Sequence, residues 1–213
     1  MKKFILFDHD GVLVDTERWY FKSAERALIE IGIELDVGQY VSDMAAGRGS
    51  WMQANAAGVP EAVLARVKAA RNTYYQEYLR TQSIEIEGVL GALESLSGIV
   101  SMAIVTTSKR VDFDIIHEHR HIVKYMEFVL TREDYSQAKP HPEPYLEGLR
   151  RFGADPSEVL VVEDSERGLR SAVAAGIDCV VVHNDFTRSQ DFSLASARID
   201  DLCDLSSLVR NWH

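Results

Sequence analysis

Only two cysteines, Cys179 and Cys203, occur in 213 residues, so no disulfide framework holds this chain together. Cys179 lies in an apolar run and is expected to be a buried free thiol. Positive charge is also scarce: 23 Lys and Arg stand against 33 Asp and Glu, a formal net charge of −10. A chain this acidic lacks the basic face that phosphate backbones require, which excludes nucleic acid as an expected partner. Any anionic substrate must then be met by locally placed cations. Long apolar runs are missing as well. The opening MKKFILFDHD reaches acid after five apolar residues, too short for the core of a signal peptide, and no later segment is long enough to span a membrane. Internal repeats and low-complexity tracts are absent. The expectation is a soluble, reduced, cytoplasmic protein with no membrane partner, and a monomer is compatible with it. An apolar content of 46% and a charged content of 26% are ordinary for a globular chain. The length fits one domain with an insertion, or two small domains.

Five short apolar runs are present: residues 3–7, 100–106, 126–131, 159–163 and 179–183. Each is rich in residues that suit a strand buried on both faces. Helical spacing follows the later runs, as with Leu146, Leu149 and Phe152, and with Leu169, Ala172 and Val173, where Gly176 is placed to end the helix. Strand–helix alternation predicts an α/β fold, a parallel sheet with helices on both faces. The interval between the first two runs is too long for a simple crossover. It carries helical patterns over 19–31, 41–51 and 60–79. Residues 17–84 are therefore expected to form an inserted α-helical cap domain, and residues 1–16 with 85–213 a Rossmann-like core. The tail is read as a surface loop and then a closing helix from about Ile199.

Ligands of an open parallel sheet bind at the C-terminal ends of its strands. The first run ends in Asp8 and Asp10, two positions apart and so on one side of an extended chain. Two adjacent carboxylates repel, and one takes up a proton unless a cation separates them. The second run leads into Thr106, Thr107, Ser108 and Lys109, the third into a loop with Lys139 before two prolines, and the fourth ends in Glu163 and Asp164. Four carboxylates make a hard-oxygen site suited to Mg²⁺. Hydroxyls, amides and one ammonium suit the equatorial oxygens of a phosphoryl group. An aspartate is also a known nucleophile in such chemistry.

The segments DHDGVLVDTE, VTTSKR, AKPHPEPY and VVEDSERG resemble, in order, the four motifs of the haloacid dehalogenase-like phosphohydrolases. The likeness covers nearly the whole chain and is nearest to the β-phosphoglucomutase-like and phosphoglycolate phosphatase-like branch. It implies Asp8 as nucleophile and Asp10 as general acid/base, Asp10 also giving a backbone carbonyl to Mg²⁺. It implies Thr106, the Thr107 amide and Lys139 as phosphate ligands. Asp8, Asp10, Glu163 and Asp164 would serve the metal, Glu163 directly or through water. The first strand would stand in mid-sheet.

The implied function is a Mg²⁺-dependent phosphatase acting on a small phosphorylated metabolite through an aspartyl-phosphate. A sugar phosphomutase of the same fold stays open, although Tyr20 stands where β-phosphoglucomutases carry a cap histidine. A phosphoryl-responsive regulatory protein without turnover is a further alternative. In the cap, Arg48 of AAGRGSW is either a substrate contact or an exposed turn residue, while Trp19, Tyr20 and Trp51 are read as core. HEHRH at 117–121 reads as a solvated helix surface, with His117 and His121 on one face. His9 departs from the apolar residue usual in the family and is expected to point away from the Asp8 and Asp10 side.

Overall fold

The structure is a computed structural model that describes residues 2–212, the side chain of Ala45 excepted. The chain forms two compact units: Thr16–Ile84 is one, and the flanking segments, up to Asp15 and from Glu85 onward, form the other.

The larger unit is a six-stranded, all-parallel sheet. Its strands are β1 (Phe4–Phe7), β2 (Ser101–Val105), β3 (Met126–Leu130), β4 (Val159–Glu163), β5 (Asp178–Val182) and β6 (Ala197–Ile199). The spatial order is β3-β2-β1-β4-β5-β6, so β1 is central. The chain steps outward from β1 to β3, then restarts on the other side of β1 with β4. That reversal leaves a crevice at the C-terminal ends of β1 and β4. β4 is buried at every position, as a strand with both faces covered must be.

Side-chain alternation divides the sheet. Leu6, Ala103, Val161 and Val181 face one way, into a core shared with Tyr145 and Leu169. This face is covered by α7 (Glu143–Phe152), packed on β1 and β2, and α8 (Glu166–Ala174), packed on β4 and β5. The helix α8 is capped by the Ser165 side chain, which accepts from the Gly168 amide. Beyond it, Gly176 has φ +73°, as expected of the residue that ends the helix. The remaining helices of this unit are α5 (Val89–Leu96), α6 (Arg110–His117) and α9 (Leu205–Arg210).

The smaller unit is helical, with α1 (Glu17–Ile29), α2 (Val37–Ala45), α3 (Met52–Ala56) and α4 (Glu61–Thr81). The pair α1 and α4 packs together. Phe21, Ala24 and Leu28 form the buried stripe of α1, and Leu64, Val67, Arg71, Tyr75 and Leu79 that of α4.

Four readings of the sequence change here. The helix expected over 41–51 stops at Ala45, because Gly47 and Gly49 take φ of +70° and +78° in the turn that follows, and α3 begins beyond it at Met52. Ala197–Ile199 is an edge strand paired with β5, and the closing helix begins at Leu205, after a short 3₁₀ turn. Three residues are too few for a periodic signal. The HEHRH segment is not a solvated helix face: α6 ends at His117, and that ring turns inward. Trp19, Tyr20 and Trp51 are half-buried rather than core. Trp19 leans on Tyr78, while Tyr20 and Trp51 flank the Arg71 guanidinium.

Candidate active site

Asp8 leaves the tip of β1 with its amide donating to the Val162 carbonyl of β4 at 2.8 Å. By alternation its side chain falls on the Leu6 side of the sheet, as does that of Glu163 at the end of β4. Lys139 comes from the loop between β3 and α7 and is buried among them. Its three ammonium protons are all engaged: Nζ donates to Asp8 Oδ1 at 2.7 Å, Glu163 Oε1 at 2.8 Å and the Val105 carbonyl at 2.9 Å. A buried ammonium with three acceptors, two of them charged, is fixed in place. Burial alone would lower the Lys139 pKa, but the Asp8 and Glu163 charges outweigh it and hold the pKa above the ordinary lysine value.

Glu163 is fully buried, and both of its oxygens are occupied. Besides Lys139, Oε1 accepts from the Tyr145 hydroxyl at 2.7 Å. Oε2 accepts from the Ser165 hydroxyl at 3.0 Å and from the amides of Asp164 and Ser165 at 3.2 and 3.3 Å. Burial works against its charge, yet Lys139 and these donors keep its pKa below the usual carboxylate value. Asp8 behaves oppositely. Burial, then the Glu163 charge, push its pKa up to about 6 against the pull of Lys139. The cluster is short of positive charge, and Asp8 carries the deficit.

Asp164 Oδ2 accepts from Asn184 Nδ2 at 2.5 Å. Asn184 sits after β5, its own Oδ1 held by the Phe186 and Thr187 amides and the Thr187 hydroxyl. The sequence reading missed Asn184; its position just past a strand end was the available signal. Gly11, at φ +83°, passes so close that a Cβ there would stand 2.3 Å from Asp164 Oδ2. Asp10 Oδ2 accepts from the Ser108 hydroxyl at 2.7 Å and the Thr106 hydroxyl at 3.1 Å. Thr106 is fully buried, its carbonyl held by the Tyr135 hydroxyl at 2.7 Å. Thr107 follows it in the turn after β2 and is half-buried.

Ligand oxygens of Asp8, Glu163 and Asp164 lie within 4.8 Å of one another. Three carboxylates facing one ammonium fit a divalent cation with oxygen preference. With Glu163 saturated by five donors, Asp8 and Asp164 are the better placed of the three to hold it, and Glu163 stands behind as the clamp on Lys139.

Arg48 belongs to the helical unit and is described within it. Its Nε and Nη2 both donate to Asp43 Oδ1, at 2.9 and 2.8 Å, so its charge is answered locally. A second arginine of that unit escaped the sequence reading. Arg71 is buried in the α4 stripe, stacked on Tyr20 and Trp51 with centroid distances of 4.4 and 5.3 Å, and its Nη1 has no hydrogen-bond partner among the described residues. Its spacing of four from both Val67 and Tyr75 was the signal.

Comparison with known proteins gives a consistent result. The family model described as haloacid dehalogenase-like hydrolase matches residues 5–182. The chain is 28% identical to Protein CbbY of Rhodobacter capsulatus, over 94% of this chain and 93% of that one. It is 27% identical to the fructose-1-phosphate phosphatase YqaB of Escherichia coli K12, over 84% and 95%. The fold matches the crystal structure of a CbbY variant from Rhodobacter sphaeroides, in complex with xylulose-1,5-bisphosphate, with a TM-score of 0.81 and 96% coverage of both chains at 21% identity.

Proposed function

Because this chain belongs to the haloacid dehalogenase-like hydrolase family, we propose that it is a Mg²⁺-dependent phosphatase of a small phosphorylated metabolite, working through an aspartyl-phosphate on Asp8. The observation that carries this reading is the Asp8–Lys139–Glu163 clamp at the β1/β4 crevice, with Asp10 held beside it. The phosphatase names of relatives such as YqaB support the reaction class.

Asp8 attacks phosphorus; the new P–O bond forms as the bond to the leaving oxygen breaks, and Asp10 supplies the proton that oxygen needs. Asp10 then takes a proton from water, which attacks phosphorus and releases Asp8. The Thr107 amide and the Lys139 charge serve the phosphoryl oxygens, Lys139 also keeping the Asp8 carboxylate aimed, and Thr106 joins them by exchanging its bond to Asp10 Oδ2 for one to phosphate. Asp8, Asp164 and the Asp10 carbonyl, with Glu163 in support, would hold Mg²⁺, which when bound would supply the charge that lets a carboxylate and a phosphate dianion meet. The helical unit takes the role of the cap, and Arg48 and Arg71 are its candidate cations for recognising the leaving group.

The test is phosphate release from a panel of phosphorylated metabolites, with Mg²⁺ and with EDTA. Turnover is expected with Mg²⁺ alone, and the Asp8→Asn protein is expected to be folded and inactive. Equal hydrolysis of an aryl phosphate with and without Mg²⁺ overturns the mechanism. A hexose 1-phosphate converted to the 6-phosphate, rather than to free sugar, would identify a phosphomutase instead.

A further inference from the structure

Asn184 takes no part in the proposed chemistry, yet it touches one of its carboxylates. It stands just past the end of β5 and is half-buried. Its side-chain amide is engaged at both ends. Oδ1 accepts from the Phe186 amide at 2.9 Å, and from the amide and the hydroxyl of Thr187 at 3.1 Å each. Backbone amides only donate, so the atom they reach is the oxygen, and the NH₂ group is the end that faces Asp164. Nδ2 donates to Asp164 Oδ2 at 2.5 Å.

The loop that carries Asn184 is anchored in turn. Gln190 Oε1 accepts from the Glu166 amide at the start of α8 at 2.7 Å, and the Asp191 amide donates to Glu166 Oε2 at 3.2 Å. The turn after β1 closes in from another side. A Cβ on Gly11 would stand 2.3 Å from Asp164 Oδ2 and 2.7 Å from Asn184 Nδ2. The Asn184–Asp164 bond is therefore packed among the ends of β1, β4 and β5.

Such a brace answers a physical need. Asp164 shares its place with Asp8 and Glu163, with ligand oxygens of all three within 4.8 Å of one another, and like charges push carboxylates apart. A cation that demands near-octahedral oxygen geometry gains most from ligands already held in the bound orientation. The chemistry of the donor matters as well. A lysine in this place would also hold Asp164, but its charge would cancel the attraction for the cation. A neutral amide orients the carboxylate and leaves its charge in place.

We propose that Asn184 is a positioning residue that presets the Asp164 carboxylate for the divalent cation, with the loop after β5 as its brace. The inference rests on the Mg²⁺ reading of the Asp8–Asp164 site.

Calorimetric titration of the full metal-free chain with Mg²⁺, and kcat followed against Mg²⁺ concentration, test it. Asn184→Ser keeps an oxygen for the Phe186 and Thr187 amides but stops one bond short of Asp164; Asn184→Ala loses both roles. Each variant should bind Mg²⁺ about 10-fold more weakly and need correspondingly more Mg²⁺ for half-maximal activity, with kcat restored at saturating Mg²⁺. The metal-free urea midpoint of Asn184→Ser should stay at the wild-type value, which separates the effect from a loss of fold. Wild-type Mg²⁺ affinity in Asn184→Ser overturns the proposal, whatever Asn184→Ala shows. In the wild-type chain, the Asn184 side-chain ¹H–¹⁵N signals should move on adding Mg²⁺, with the half-saturation seen by calorimetry. Signals that stay still while Mg²⁺ binds also overturn the proposal, and this readout decides if the variants do not fold. A wild-type chain that binds no Mg²⁺ would defeat the metal reading and this inference with it. One that binds Mg²⁺ at the Asn184 signals and releases no phosphate would defeat the phosphatase reading alone.

Discussion

Asp8 is destabilised by the fold that positions it. Its pKa rises from 3.8 to about 6 because burial and the Glu163 charge outweigh Lys139. In the metal-free protein this group favours folding while protonated. That contribution is complete below about pH 4 and is lost as pH climbs through about 6, because there the folded state holds the proton that the unfolded state has released. Asp8→Asn should therefore flatten this part of the stability–pH curve and raise metal-free stability at pH 7–8 by about 3 kcal/mol. Urea denaturation across pH measures it; a variant less stable than wild type at pH 8 would contradict the charge deficit. Gly168 shows the same economy of space. A Cβ there would stand 1.7 Å from Glu163 Oε1, so the carboxylate occupies the room the missing side chain leaves. Asp8, Asp10 and Lys139 were legible from sequence as motif residues. The saturation of Glu163, the hold of Asn184 on Asp164 and the inward turn of His117 were not, because each depends on a partner from a distant segment.

At the scale of elements, the clamp joins three: the end of β1, the end of β4 and the loop leading into α7. Lys139→Met would strip the counter-charge from two buried carboxylates at once and should cost about 3–5 kcal/mol, the range for breaking a buried ion pair from one side. Adding Glu163→Gln should restore part of that loss, since one of the orphaned charges is removed. Denaturant midpoints of the single and double variants check this; a double variant no more stable than Lys139→Met would rule out charge as the cause. The strands β1 to β5 were readable because parallel strands covered on both faces are continuous apolar runs. β6 was not, because an edge strand of three residues carries no such run, and only its pairing with β5 defines it. The 41–51 helix was misread because helical spacing persists on both sides of a glycine loop.

For the whole molecule, the chain divides into two compact units and passes from one to the other at residues 15–16 and 84–85. The three tryptophans report on them separately: Trp19 and Trp51 lie in the helical unit and Trp212 in the sheet unit. Single-tryptophan variants followed in urea should show that Mg²⁺ raises the midpoint seen by Trp212 and leaves that seen by Trp19 and Trp51 in place, because ligand stabilises the unit that binds it. A shift of equal size at all three would mean that the units unfold as one.

By itself the sequence determined the parallel α/β sheet, the helical insert and the acidic motifs at the strand ends, since apolar periodicity and local spacing are properties of neighbouring residues. The tertiary structure alone decided which side chains complete one another: Lys139 with Asp8 and Glu163, Asn184 with Asp164, His117 with His9. Those pairings join segments 20 to 131 positions apart, and no local pattern encodes a contact that exists only once the sheet has brought its strand ends to one edge.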